Sequence, residues 1–217
     1  MGGIEDDERL ERIDFRKIRY ICYDLLKDVR FSGEPVVPKI TSTEKTVKFK
    51  GLVFGVEKLE GMNLSDYLLD GNIPLKDKLE VLLHVTRQLR QIDKAGYVLF
   101  DRHGGNIRIL RWGESGVSTR QVDIEDMYDK RANRVYSSSG SLDIELIEIF
   151  KSKGLDLWVN AVSSISLQGI GVIERSGYGY CVLDLLSKHV WDKTRAPKGS
   201  NLVDLEKAIG NAIDILG

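Results

Sequence analysis

The stretch from Pro74 to Asp126 limits the fold more than any other part of this chain. Leu75, Leu79, Leu82, Leu83, Leu89 and Ile92 recur at helical spacing, which puts them on one face of a helix running to about Lys94. Pro74 suits its first position, where the missing proline N–H costs nothing, and Ala95-Gly96 ends it. A strand-like run, Tyr97 to Phe100, then delivers the polar loop Asp101-Arg102-His103-Gly104-Gly105-Asn106, and Ile107 to Leu110 reads as strand again. Val122-Asp123-Ile124-Glu125-Asp126 follows. An Asp, an Asn five residues later and a second Asp seventeen beyond that lie near short strands. Such a set can hold one or two Mg²⁺ ions on a nucleotide's phosphates while the first Asp orients an acceptor.

The remainder of the chain is compatible with that arrangement. With 217 residues, 42% hydrophobic and 30% charged, it is long enough for one domain or for two lobes around a cleft. A net charge of −1 excludes a strongly basic nucleic-acid footprint. Cys22 and Cys181 fit no closely spaced metal-ligand pattern and read as buried thiols in a reducing compartment. There is no amino-terminal signal segment and no apolar run long enough to cross a bilayer, so a cytoplasmic protein is expected, without membrane or nucleic-acid partners.

From Glu8 to Val29, the spacing of Phe15, Ile18, Cys22, Leu25 and Val29, with Arg12, Arg16, Arg19 and Lys27 interspersed, predicts an amphipathic helix that Ser32-Gly33-Glu34-Pro35 stops. Strands are expected over Val36 to Thr41 and Thr46 to Val56, joined as a hairpin by Ser42-Thr43-Glu44-Lys45. Asn63 caps a short helix through Leu69. Beyond Tyr136-Ser137-Ser138-Ser139-Gly140, a turn, helices are expected near Leu142 to Lys151, Leu155 to Ser166, Tyr180 to His189 and Asn201 to Leu216. Trp158 and Trp191 anchor the packing among them, and the glycine-rich stretch Gly169 to Gly179 reads as a loop between helices. His84 and His189 fall on helices as structural or surface residues.

In this order, helix, two strands, a Glu57-Lys58-Leu59-Glu60-Gly61 connector, two helices, a D-x-x-x-x-N loop and a strand-borne Asp resemble the protein-kinase-like superfamily, from Glu8 to Asp126. The Asp101–Asn106 loop is similar to the D-L-H-P-G-N loop of aminoglycoside and choline phosphotransferases and the D-R-H-x-x-N loop of phosphatidylinositol kinases. Val122-Asp123-Ile124-Glu125-Asp126 resembles the I-D-x-E-D variant of small-molecule and atypical kinases. The resemblance implies an α+β, kinase-like fold. Residues 1–60 would form a reduced N-terminal lobe of one helix and short antiparallel strands, and residues 61–217 a mainly helical C-terminal lobe.

It also implies roles. Asp101 matches the residue that orients the acceptor hydroxyl or takes its proton, and Asn106 and Asp123 match the Mg²⁺ ligands. His103 matches a position near the transferring phosphate, and Arg102 adds positive charge there. The backbone of Glu57 and Leu59 matches the connector that hydrogen-bonds adenine, and Gly104 and Gly105 permit a tight turn beneath the ligand. Taken alone, the loop reads as a polar turn between helix and strand; with Asp123 and the long helix in register, the site reading prevails.

The chain departs from the family at the top of the cleft. The strands that carry a glycine-rich phosphate cover and a phosphate-binding Lys have no counterpart before the first helix, so Glu8 and Glu11 have no Lys partner, and Lys39, Lys48 and Lys50 belong to the wrong strands. Two functions remain open. One is an ATP- and Mg²⁺-dependent phosphotransferase acting on a protein Ser/Thr or a small-molecule hydroxyl. The other is a catalytically impaired kinase-like binding or scaffold protein, or one completed by a partner that supplies the upper lobe.

Overall fold

The structure, a computed structural model, describes residues 15–46, 51–99, 102, 104–136 and 202–217. Helix α1 (Phe15–Leu26) buries Ile18, Cys22, Tyr23 and Leu26. The inner face is therefore rotated toward Tyr23 and Leu26, with Leu25 and Val29 only partly buried. The helix stops before Val29, whose N–H closes a turn on the Leu26 carbonyl at 3.0 Å. Ser32 and Gly33 do more than stop a helix. Both take positive φ, 51° and 80°, and fold Arg30–Phe31 (β1) back on Glu34–Pro35 (β2) as a tight hairpin.

The second hairpin lies further along the chain than its sequence predicts. Ile40–Thr46 (β3) pairs antiparallel with Gly51–Val56 (β4), so Ser42-Thr43-Glu44-Lys45 is strand, not turn, and faces Gly55, Phe54, Val53 and Leu52. Thr41, Thr43 and Thr46 are β-branched and suit a pleated strand. Val36, meanwhile, is bound elsewhere: its N–H donates to Val29 at 3.2 Å, its carbonyl accepts from Gln121 at 2.8 Å, and both Val36 and Val37 are buried.

After Met62–Asn63 (β5), the Asn63 side chain accepts the Asp66 N–H at 2.8 Å and starts helix α2 (Leu64–Leu69) as the sequence predicts. Helix α3 (Leu75–Lys94) buries Leu79, Leu82, Leu89 and Ile92 and ends at Gly96, φ 92°, whose N–H returns to Asp93 at 2.8 Å. Val81, Val85, Thr86 and Gln88 are buried as well, so the helix is enclosed on more than its leucine face. The remaining strands are β6 (Tyr97–Leu99), β7 (Ile107–Arg111), β8 (Ser118–Gln121), β9 (Met127–Asp129) and β10 (Arg134–Tyr136). With β5 they form two three-stranded antiparallel sheets, β5-β7-β8 and β10-β9-β6.

Helix α4 (Leu202–Leu216) lies along α3, burying Leu202, Leu205, Ala208, Ile209 and Ala212. Glu206 joins the two by accepting from Arg87 at 2.9 Å and from Arg90. The expected helices between Leu142 and His189, with Trp158, Trp191 and the Gly169–Gly179 stretch, lie outside the described residues. Helices and small antiparallel sheets make this an α+β fold. No described helix is long and apolar enough to cross a membrane.

The first hairpin docks on α3 through Phe31, which meets the His84 ring edge-on at 4.8 Å. Beside it Glu34 accepts from Arg111 at 2.8 Å, from Arg120 at 3.0 Å and from Ser118. Burial pushes His84 down to about 4, Arg120 and Arg87 adding to the shift and Glu34 opposing it. In the window from pH 6.5 down to 4 the unfolded chain binds a proton there that the folded chain refuses. The stability is whole above pH 6.5 and is lost as pH falls through the folded value. Urea unfolding at pH 7 and pH 4.5 should differ by about 2 kcal/mol on account of this group, and His84→Gln should remove that part of the difference.

Candidate functional site

The β7–β8 ladder sets the geometry. Ile107 lies opposite Gln121, and one step outward the Val122 N–H donates to the Asn106 carbonyl at 2.9 Å. Asn106 and Asp123 therefore leave the sheet at the same end. Asp123 then turns into the left-handed region, φ 48°, a conformation that Asp tolerates better than most residues and that recurs at functional sites. Its side chain is 53% exposed, whereas Asn106 is buried.

Arg102 ties the loop to this strand end. It is fully buried, and its guanidinium donates to the carbonyls of Val122 at 2.9 Å, Asn106 at 3.3 Å and Asp123. A planar fork of five donors can reach acceptors on two segments at once in a fixed geometry, which the compact lysine ammonium does not reproduce. The sequence reading puts Arg102 in reach of a ligand as added charge. The structure turns it inward, where it fixes the backbone that carries Asn106 and Asp123.

Gly104 is required for a different reason than left-handed backbone. Neither Gly104 nor Gly105 has positive φ. A Cβ on Gly104 would lie 2.2 Å from Ser65 Oγ and 2.7 Å from Ser65 N, so the loop presses against the first turn of α2.

Two participants escape the sequence reading. Arg19 on α1 donates from Nη2 to Asp123 Oδ1 at 2.9 Å, and its Nε lies 3.9 Å from Glu125 Oε1. Tyr23 is buried one turn further along α1, on the same side of the helix as Arg19. Glu125 is buried, and its Oε2 has no partner among the described residues; burial pushes its carboxyl up against the opposing pull of its own backbone N–H and of Arg19. Cys22 Sγ reaches the Glu125 carbonyl at 3.8 Å, and burial, aided by Glu125 and Asp126, pushes its thiol up to about 12, leaving it an inert thiol. Arg19 reads in sequence as one of several basic residues on a helix. Nothing local announces a partner 104 positions away.

At the connector, Lys39 and Glu57 are doubly joined. The Glu57 N–H donates to the Lys39 carbonyl at 2.8 Å, and the Lys39 N–H donates to the Glu57 carboxylate at 3.3 Å. Among the described residues no hydrogen bond takes up the Glu57 carbonyl or the Leu59 backbone. Asp101 and His103 lie outside the described residues.

Among the described residues no three His, Cys, Asp or Glu side chains gather as a metal cage. The exposed Asp123 carboxylate and the Asn106 amide carry hard oxygen atoms, the donor type that hard divalent cations such as Mg²⁺ and Ca²⁺ take. No protein-family model matches this sequence, and no curated protein matches it either.

Proposed function

We propose that the chain is an ATP- and Mg²⁺-dependent phosphotransferase of the kinase-like class, acting on a hydroxyl of a protein Ser/Thr or of a small molecule. The observation that carries this reading is the shared exit of Asn106 and Asp123 from the β7–β8 ladder, fixed from inside by Arg102. That arrangement gives Asn106 and the Val122–Asp123 segment a physical connection, beyond their order in sequence.

In this reading the backbone of Glu57 and Leu59 takes the adenine, and Asn106 and Asp123 hold Mg²⁺, which when bound offsets charge on the phosphates. Asp101 orients the acceptor hydroxyl and receives its proton. The acceptor oxygen bonds to the terminal phosphorus as the bond to the bridging oxygen breaks, and ADP leaves with that electron pair. His103 belongs beside the transferring phosphate by its place in the loop. Arg102 acts as a positioning residue.

Mg²⁺-ATP is expected to raise the melting temperature of the wild type, by several degrees at a hundredfold excess over Kd, where bound ligand contributes about 2.7 kcal/mol. Asp123→Ala should abolish the rise while leaving the unliganded protein folded, since this carboxylate is half exposed. A wild type that shows no shift at millimolar nucleotide would sink the proposal. Asp101→Ala, compared in ATP turnover, tests the acceptor-orienting role separately.

A further inference from the structure

We infer that Arg19 is a phosphate-binding residue of this site, a fixed cation supplied by helix α1; the inference rests on the nucleotide reading of Asn106 and Asp123. A nucleotide polyphosphate carries more negative charge than one divalent ion offsets, so a site for it calls for a further cation close to the metal ligand. Among the described residues, the cation that forms an ion pair with Asp123 is Arg19.

Two carboxylates hold its guanidinium, Asp123 at 2.9 Å and Glu125 at 3.9 Å, and Tyr23 lies one turn along the same helix. Tyr23 and Glu125 are buried and Asp123 is not, so the guanidinium has its back to the core and its outer edge toward the same side as the Asp123 carboxylate. The Arg19 side chain is 34% exposed. A guanidinium has five N–H donors in a planar fork, and a carboxylate accepts about four hydrogen bonds. Arg19 can therefore keep its bond to one Asp123 oxygen while turning other N–H groups to phosphate oxygens, and Asp123 still has lone pairs for a cation. Preorganisation follows, because the side chain is already ordered before the ligand arrives.

The alternative is that Arg19 blocks Asp123, competing with the cation for the same carboxylate. The two differ in sign. Binding of Mg²⁺-ATP, Mg²⁺-ADP and adenosine to the full chain would be measured by titration calorimetry for wild type, Arg19→Ala, Arg19→Gln and Arg19→Lys. Loss of a charge-assisted contact predicts that Arg19→Ala and Arg19→Gln bind Mg²⁺-ATP at least about tenfold more weakly, adenosine within about twofold of wild type, and that Arg19→Lys recovers part of the loss. Arg19→Gln retains most of the side-chain stem should the alanine variant fail to fold. Unchanged Mg²⁺-ATP affinity in Arg19→Gln would overturn the inference, and tighter binding would make Arg19 a block instead. An equal loss for adenosine and ATP would reduce Arg19 to a structural role and likewise overturn it. If the wild type binds adenosine and ATP no better than an unrelated protein does, the nucleotide reading itself falls, and this inference with it.

Discussion

Replacing Arg102 by leucine is expected to lower the unfolding free energy by about 3–5 kcal/mol, the summed cost of buried carbonyls left without their charged donor. The side chain is fully enclosed, and its guanidinium serves the carbonyls of Asn106, Val122 and Asp123. Leucine fills part of the volume but offers no donor. The Asn106 carbonyl keeps the Val122 N–H, but the Val122 and Asp123 carbonyls lose the guanidinium, at about 1–3 kcal/mol each where no water reaches them. For a chain of this size that corresponds to roughly a 10 °C drop in melting temperature by calorimetry. Arg102→Lys should recover only a fraction, since the compact ammonium lacks the extended fork that reaches all three carbonyls together. A melting temperature within a degree or two of wild type for the leucine variant would show that the guanidinium does not hold the loop to the strand.

Gly104→Ala should be comparably severe through a different mechanism. Its methyl would stand 2.2 Å from Ser65 Oγ, 2.7 Å from Ser65 N and 3.1 Å from Ser65 Cα. Side-chain movement can relieve the first contact but not the other two, which involve backbone. The loop and the first turn of α2 must therefore separate, at a cost of about 3 kcal/mol or more, the upper part of the overpacking range. A double variant, Gly104→Ala with Ser65→Ala, should recover little of the loss. Full recovery in that double variant, read from chemical denaturation, would show that the hydroxyl alone is the obstacle.

These two residues show where sequence is readable and where it is not. Helix α3 is legible because its apolar period is intrinsic to the helix, and α2 because Asn63 caps it with its own side chain. The pairing of Asn106 with Asp123 is legible as an ordered motif. The inward turn of Arg102 is not, since a buried arginine depends on carbonyls that two separate strands bring to it. The β3–β4 register is misread because Val36 is held by Val29 and Gln121, and the second of those lies far along the chain. Gly104 reads as a turn glycine, yet its lack of a side chain answers to the nearness of Ser65 and not to any torsion. Arg19 is the extreme case: neither its charge nor its helix position distinguishes it from Arg16 or Lys27.

The separation of Arg19 from Asp123 has a kinetic side. Helices α2 and α3 and the strands that follow them are near neighbours in sequence, whereas the α1 contact to Asp123 closes a segment of about a hundred residues. Contacts that enclose so much chain form after the local ones, because their closure entropy is met only once the intervening elements are in place. Asn106 and Asp123 can thus be poised by the sheet while the guanidinium is still absent. In refolding, the acidic half of the pair is therefore expected to assemble first, and the docking of α1 to be the event that balances its charge.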